Sequence, residues 1–444
     1  MSRGLIITSP QSGSGKTVLT LALLRALRRR GHRVVSAKLG PDYIDPAFHA
    51  AATGAACSNL DCWAMRPALL HALTRGLARS GDLLLCEGAM GLFDGVGASE
   101  SGSTADLAER LRLPVLLAVD ASRQAASVAA LLEGFVRHRP AIAIAGVLFN
   151  RVGSPRHAEV LIAATRAALP GLAILGAVPR DPALVLPERH LGLVQASEHP
   201  ALAAFLEHAA EIVGTHCDLA GITALAAPIP VEGGSDAPVP LPPLGQRIAL
   251  AADRAFAFAY PATIEGWRTA GAEIVPFSPL ADEAPDRAAD AVYLPGGYPE
   301  LHAQRLSASS RFLAGLRERA AAGASIYGEC GGYMVLGRGL VDAAGVRHAM
   351  AALLPVATSF AAPKRHLGYR EAVLAAATPL GAAGAQFRGH EFHYAGIVEA
   401  EGVPLFRVRD GGGADLGAMG SVAGRVMGSF LHLIDRVELP ASIG

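Results

Sequence analysis

The chain is poor in several things, and each shortage closes a class of protein. Only 5 of its 444 residues are cysteine (Cys57, Cys62, Cys86, Cys217 and Cys330), too few and too scattered for a disulfide framework at this length. Cys57 and Cys62 have no second Cys or His pair near enough to complete a zinc site. An excess of one charge is also missing: 39 Lys+Arg balance 39 Asp+Glu. There is therefore no electrostatic footprint for nucleic acid or an anionic membrane surface. No apolar run reaches about 18 residues without a charge, proline or glycine, so no membrane span is read. The first residues meet glycines and a lysine after one short apolar run, unlike a signal peptide. A soluble, cytoplasmic protein is expected.

What is present points to a folded, multidomain chain. Hydrophobic residues at 51% against 18% charged offer ample apolar surface to offset the entropy of ordering. The 50 glycines and 29 prolines follow no three-residue period, which excludes collagen. The length exceeds that of one domain at about 150 residues each. Apolar runs at Leu5-Ile6-Ile7, Val34-Val35, Leu83-Leu84-Leu85, Val115-Leu116-Leu117 and Gly146 to Phe149 alternate with helical spacing at Val18 to Arg30 and Ala105 to Leu113. Strands apolar on both faces and separated by helices predict a parallel sheet covered on both sides. A Pro/Gly-rich stretch at residues 225–245 reads as a linker. Beyond it, Ile248 to Leu250, Ile274-Val275, Ala291 to Leu294 and Ser325 to Tyr327 predict a second α/β domain. The expected division is 1–224, linker 225–245, and 246–444.

Between the first strand and the first helix lies Ser9-Pro10-Gln11-Ser12-Gly13-Ser14-Gly15-Lys16-Thr17. Glycines there let backbone N–H groups turn inward at a helix N-terminus and form an anion site. Lys16 reaches outer phosphates and the Thr17 hydroxyl faces Mg²⁺, as in a P-loop, although Pro10 stands at the first glycine position. The nucleotide-binding set is Ser12, Gly13, Ser14, Gly15, Lys16 and Thr17. Asp42 and Glu87 follow strands at the same expected sheet edge, where an acid points into the ligand crevice. The plainer reading of each acid is a loop or helix cap. Asp45 and Asp94 fit a substrate-facing role less securely, and Ser103 or Thr104 caps the next helix. Asn150 either meets an adenine edge or holds a turn; Lys38 either serves phosphate or is exposed.

In the second half, Ser325 to Leu336 reads as strand, tight turn and helix with Cys330 at the turn among glycines. Such an elbow exposes a strained nucleophile, and the helix N-terminus that follows is expected to lower the thiol pKa. Gly296-Gly297, ending another strand, offers a backbone N–H for an oxyanion. His432 is the base by position, with His390 and His393 as rivals.

These motifs resemble known families. GGYPE, YGECGGYMVLG and GSFLHLID are similar to class I glutamine amidotransferase domains, which are flavodoxin-like α/β folds. SGSGKT and the strand-end acids resemble dethiobiotin-synthetase-like ATPases with a P-loop parallel sheet. Their fusion, with KLGPDYIDPAFH, NLDCW, CEGAMGLFDG, GSTADLA, LPERHLGLV, HLGYREA and RGHEFHY, resembles the cobyrinic/hydrogenobyrinic acid a,c-diamide synthases of vitamin B12 biosynthesis. The resemblance covers nearly all of the chain except the linker. It implies ATP-dependent amidation of two corrin acetate groups with glutamine as nitrogen donor; the mechanism expected for this is an acyl phosphate attacked by ammonia that Cys330 releases and that passes between the domains. It implies Cys330 as nucleophile, His432 as base and Gly297 in the oxyanion hole. Thr17, Asp42 and Glu87 match Mg²⁺ positions; Asp42, Tyr43, Ile44 and Asp94 match positions near the substrate carboxylate. The carboxylate common two residues after the catalytic histidine is absent, since Ile434 stands there. Either Asp435 substitutes or the base works in a dyad. Hydrogenobyrinic acid is favoured over cobalt-containing cobyrinic acid, with cobyric acid synthase and a ParA-like switch ATPase as more distant readings. A homodimer is the plain expectation for its assembly.

Overall fold

The computed structural model describes residues 2–189, 192–229 and 238–438. The chain divides into two compact units, Met1–Trp63 with Leu70–Asp236, and Ala64–Leu69 with Ala237–Gly444. The short segment Ala64–Leu69 therefore belongs with the second unit although its sequence neighbours belong to the first. Of the expected linker, 230–237 lie outside the described residues. Its ends are built into the units: Ala227-Pro228 pairs antiparallel with Arg3-Gly4, and Leu241 and Leu244 are buried in the second core.

In the first unit, β1 (Arg3–Thr8), β2 (Val34–Leu39), β3 (Ser58–Leu60), β4 (Leu83–Glu87), β5 (Val115–Asp120), β6 (Ile144–Val152) and β7 (Ala173–Pro179) run parallel in the order β3-β2-β4-β1-β5-β6-β7. Leu5, Ile6 and Ile7 are completely buried, as a central strand covered on both faces requires. The helix α1 (Lys16–Arg29) buries Leu19, Leu23, Leu24 and Leu27, one face at three- and four-residue spacing, and ends on Arg28 and Arg29 where cations complement the helix dipole. Successive strands leave β1 in opposite directions, so the sheet has a switch point there. Loops leaving the carboxyl ends of β1, β2 and β4 converge on one crevice.

The second unit has a six-stranded sheet. Glu273–Phe277, Arg247–Ala251, Ala291–Leu294, Ser325–Glu329 and Val426–Ser429 run parallel in that spatial order, and Ser421–Ala423 closes the edge antiparallel. Two further sheets were not anticipated from the sequence. The larger orders Asp415–Met419, Phe406–Asp410, His366–Leu374, Gln386–His393 and Leu431–Arg436, all antiparallel. His366–Leu374 and Phe406–Asp410 alternate in exposure and Asp415–Met419 is exposed, so these strands lack the continuous apolar runs that mark parallel strands; Leu431–Arg436 is buried along almost its whole length. Phe387, Phe406, Leu431 and Leu433 from this sheet pack with Trp267, Tyr293 and Tyr327 in one core. Among the described residues no helix is long and apolar enough to cross a membrane.

Candidate active sites

At the carboxyl end of β1 the loop before α1 is held open from behind. Gly13 and Gly15 have φ of 78° and 77°, a backbone region that glycine enters without steric cost. Asn150 Nδ2 donates to the Ser14 carbonyl at 2.9 Å and Arg151 Nη1 to the Gly13 carbonyl at 2.9 Å. With those carbonyls tied toward β6, the N–H edges of the same peptide planes are free to turn the other way, as an anion cradle requires. Asn150 thus braces the loop from behind and is not among the residues that border the cleft in front of it. Ser14 is likewise buried, its hydroxyl donating to Gln11 O at 2.9 Å.

That cleft, of about 500 Å³, is bordered by Ser12, Gly13, Gly15, Lys16, Thr17 and, across from them, by Lys38, Asp42, Ile44 and Asp45. Inside it is a charge cluster. Thr17 Oγ1 donates to Glu87 Oε1 at 2.7 Å. Lys38 Nζ donates to Asp45 Oδ2 at 2.5 Å and to Glu87 Oε1 at 2.7 Å, and His49 Nε2 meets Glu87 Oε2 at 2.7 Å with both side chains fully buried. Against the cost of burial, Lys38 and His49 hold the Glu87 carboxyl far below its ordinary range. Burial and the neighbouring Asp42 push Asp45 up, to about 6, against the pull of Lys38. Burial, and then Lys38, lower the Lys16 ammonium, whose Nζ reaches the Met90 carbonyl at 3.4 Å.

Several sequence expectations change here. Lys38, left between two roles, is 4% exposed and sits at the centre of the cluster. Asp45, thought the less secure acid, is in it; Asp42 borders the cleft but spends Oδ1 on the Ile44 and Asp45 N–H groups at 2.8 and 2.9 Å. Tyr43 is buried and does not border the cleft, whereas Ile44 does. Asp94 is exposed, accepts from Gly91 N at 2.8 Å and is outside the cleft lining. Its place is that of a turn-stabilising carboxylate. Ser103 is the cap of the following helix, accepting from Asp106 N. The oxygen donors Thr17, Asp42, Asp45 and Glu87 are the hard set that Mg²⁺ takes.

In the second unit, Cys330 follows the strand Ser325–Glu329 with φ 47° and ψ −101°. This is a strained turn for a residue with a Cβ. The elbow is fixed by Cys330 N donating to Ser429 O at 2.8 Å and Gly332 N to Pro295 O at 3.1 Å. A Cβ on Gly332 would lie 2.0 Å from Leu294 O, so only glycine lets the helix Gly331–Leu336 start this close to the neighbouring strand end. A Cβ on Gly331 would lie 3.0 Å from Gly297 N. The loop bearing Gly297 thus passes directly beside the elbow. Burial, then the Glu300 carboxylate, pushes the thiol up, and the Gly331 N–H only partly offsets them. The expected lowering by the helix N-terminus does not prevail, because the helix has six residues and the sulfur is desolvated.

His432 is completely buried on Leu431–Arg436 and directly opposite His390. Burial, then His390, pushes its imidazole down to about 3, so at neutral pH it is uncharged and able to take a proton. The rival His393 is engaged on both ring nitrogens, with Glu391 Oε1 at 2.8 Å and Ala395 O at 3.0 Å. His366, Glu391 and His393 bring possible metal-ligand atoms within 4.8 Å. Arg370 Nε already holds Glu391 Oε2 at 2.7 Å, and the two imidazoles stack in parallel at 4.7 Å. A guanidinium in contact and stacked rings make this a charge-balanced network unsuited to a further cation.

Asp435, one of the two alternatives left open for the missing carboxylate, is occupied elsewhere. Arg66, in the Ala64–Leu69 segment of the same unit, gives it a backbone N–H at 2.8 Å and guanidinium contacts at 3.0–3.1 Å. Among the described residues Glu329 approaches the base, its Oε2 3.9 Å from His432 Nδ1. The sequence singled out neither Glu329 nor Arg66: Glu329 lies inside the YGECGGYMVLG motif, and Arg66 lies outside all of the family motifs.

A phosphate-type loop with buried acids in one unit and a thiol elbow in the other define a class. Residues 5–194 match the CobQ/CobB/MinD/ParA nucleotide binding domain and residues 247–437 the CobB/CobQ-like glutamine amidotransferase domain. The protein is a nucleotide-binding domain fused to a glutamine amidotransferase domain. Among curated relatives, hydrogenobyrinate a,c-diamide synthase of Brucella suis biovar 1 is 55% identical over 98% of each chain. That of Rhizobium meliloti is 55% identical over 98% of this chain and 100% of its own. That of Rhodobacter capsulatus is 54% identical over 97% of this chain and 98% of its own. The chain belongs to the hydrogenobyrinate a,c-diamide synthase family.

Proposed function

We propose that the protein amidates the a and c acetate carboxylates of hydrogenobyrinic acid in cobalamin biosynthesis, with ATP as energy source and glutamine as nitrogen donor. The observation that carries this reading is identity of 54–55% running through 97–98% of the chain, with both candidate sites inside the matched length. A carboxylate resists attack by ammonia because it has no leaving group. Transfer of the ATP γ-phosphoryl to a carboxylate oxygen gives an acyl phosphate; ammonia then adds at carbon and phosphate departs.

In the first unit the loop N–H groups and Lys16 bind and orient the phosphates. Thr17, Asp45 and Glu87, with Asp42 beside them, would hold Mg²⁺, which when bound neutralises phosphate charge. Lys38 and His49 fix the Glu87 carboxylate. Ile44, Met90, Val185, Leu186 and Leu193 on the cleft wall present apolar surface to a macrocycle edge.

In the second unit Cys330 Sγ attacks the glutamine carboxamide carbon while its proton passes to His432, and the Gly297 and Gly331 N–H groups receive the developing oxyanion. His432 returns the proton to the departing ammonia, and water hydrolyses the thioester to glutamate. The test is product mass after incubation with ATP, Mg²⁺, glutamine and hydrogenobyrinic acid or cobyrinic acid. Two amides on hydrogenobyrinic acid are expected. With Cys330→Ala, ammonia should still support amidation while glutamine should not. Loss of both to the same extent, or no diamide from the native chain, refutes the reading.

A further inference from the structure

We infer that Glu329, the residue immediately before the thiol, is the positioning carboxylate of His432, taking the place that the sequence leaves empty at Ile434. The inference rests on the reading of Cys330 and His432 as the glutaminase pair.

Three observations carry it. Glu329 Oε2 is 3.9 Å from His432 Nδ1, the ring nitrogen a positioning carboxylate must face, and both side chains are buried. The carboxylate is fixed on every other side: Tyr293 OH donates to Oε2 at 2.8 Å, and Tyr327 OH and Leu433 N donate to Oε1 at 3.0 and 3.1 Å. The Leu433 donor is the backbone of the residue after His432, so the acid is pinned to the strand that carries the base. Asp435, the alternative, has both oxygens held by Arg66.

A buried carboxylate with three neutral donors and no cation at bonding distance is costly to keep. A separation of 3.9 Å is longer than a hydrogen bond, and such contacts in resting enzymes commonly tighten in the substrate complex. When the Cys330 proton moves to His432 Nε2, the ring becomes an imidazolium whose Nδ1–H points at Glu329, and the two opposite charges then meet in a buried site. Burial pushes the resting Glu329 carboxyl up to about 7. The groups facing this pair are Tyr293, Tyr327 and Tyr260, with His390, His393 and Glu391 from the strand Gln386–His393.

Glu329→Gln provides the test. Its oxygen keeps the Tyr327 and Leu433 bonds, while its NH₂ replaces Oε2, so that Tyr293 OH must turn from donor to acceptor and the amide faces His432 Nδ1 and donates to it. The proton is then forced onto Nε2, the wrong tautomer for accepting from a thiol. The expected result is a fall of about 100-fold or more in kcat for glutamine hydrolysis, KM for glutamine within about threefold, and ammonia-supported amidation unchanged. Glu329→Asp should recover part of the lost kcat. Glutaminase activity of Glu329→Gln within threefold of the native chain overturns the inference. In the unaltered chain, ¹⁵N-histidine NMR should find His432 protonated on Nδ1; the Nε2–H tautomer overturns it without any variant. If Cys330→Ala retains glutaminase activity, the underlying reading fails. If Cys330→Ala is inactive and Glu329→Gln active, only the present inference does.

Discussion

Replacing Arg66 by alanine should loosen the second unit far more than loss of a surface ion pair. The Asp435 side chain is completely buried and Arg66 is 9% exposed at its side chain. Removing the guanidinium leaves a carboxylate with no access to water and only backbone donors. Breaking one partner of such a buried pair costs about 3–5 kcal/mol, against about 0–1 for an exposed pair. With a urea m-value of about 2–3 kcal/mol/M, the midpoint of the second unit should fall by about 1–2 M. The two tryptophans make the measurement clean, because Trp63 belongs to the first unit and Trp267 to the second. In a Trp63→Phe background, Trp267 fluorescence reports the second unit alone. Asp435→Asn should cost less than Arg66→Ala, since it leaves a neutral acceptor, and the double variant should cost less than the sum. Lowering the pH should also shrink the cost of Arg66→Ala, because the orphaned acid protonates readily when buried. A midpoint shift worth under about 1 kcal/mol would show that water reaches Asp435 and would refute the buried-pair argument.

Three further outcomes are expected. Gly297→Ala places a Cβ 2.0 Å from Ala255 O, so the loop must move and take its N–H with it; glutamine-supported turnover should fall by about 100-fold or more while ammonia-supported turnover persists, and equal loss of both would contradict this. Lys38→Met leaves Asp45 and Glu87 buried without their shared cation, and should destabilise the first unit by about 3–5 kcal/mol, read by Trp63 fluorescence in a Trp267→Phe background. Acid should destabilise the second unit. His390 and His432, both pushed to about 3 by burial, contribute stability that is full above the unfolded histidine value and lost as pH falls toward 3. Glu329, raised to about 7 by burial, acts oppositely and loses its contribution as pH rises from 4.5 to 7. His366, also lowered by burial, adds to the histidines, and Asp435, raised by burial, to Glu329; the histidines prevail, so urea midpoints should fall from pH 6.5 to 5, and midpoints flat or rising over that interval would contradict the sign.

The division between sequence and structure follows the range of the interactions. By itself the sequence determined the parallel strands, the loop ending in Lys16 and Thr17 and the elbow around Cys330. Each is written in a contiguous run, by apolar periodicity or by glycines that a backbone turn demands. It left Asp45 and Lys38 ambiguous because a carboxylate and an ammonium in a loop look alike whether solvated or buried. Only the turn of the chain from β2 into the helix Asp45–Thr53 placed them at 2.5 Å. It offered the wrong direction for the Cys330 thiol, because a helix N-terminus is local whereas desolvation depends on everything packed around the sulfur. The antiparallel sheet was not legible because strands such as His366–Leu374 and Phe406–Asp410 alternate in exposure without long apolar runs. The contacts of Asp435 with Arg66, 369 residues away in sequence, and of Glu329 with His432 arise only when distant parts of the chain pack together. Chemistry carried by local backbone shape was legible in the chain, and chemistry carried by burial and long-range charge pairing was decided by the fold.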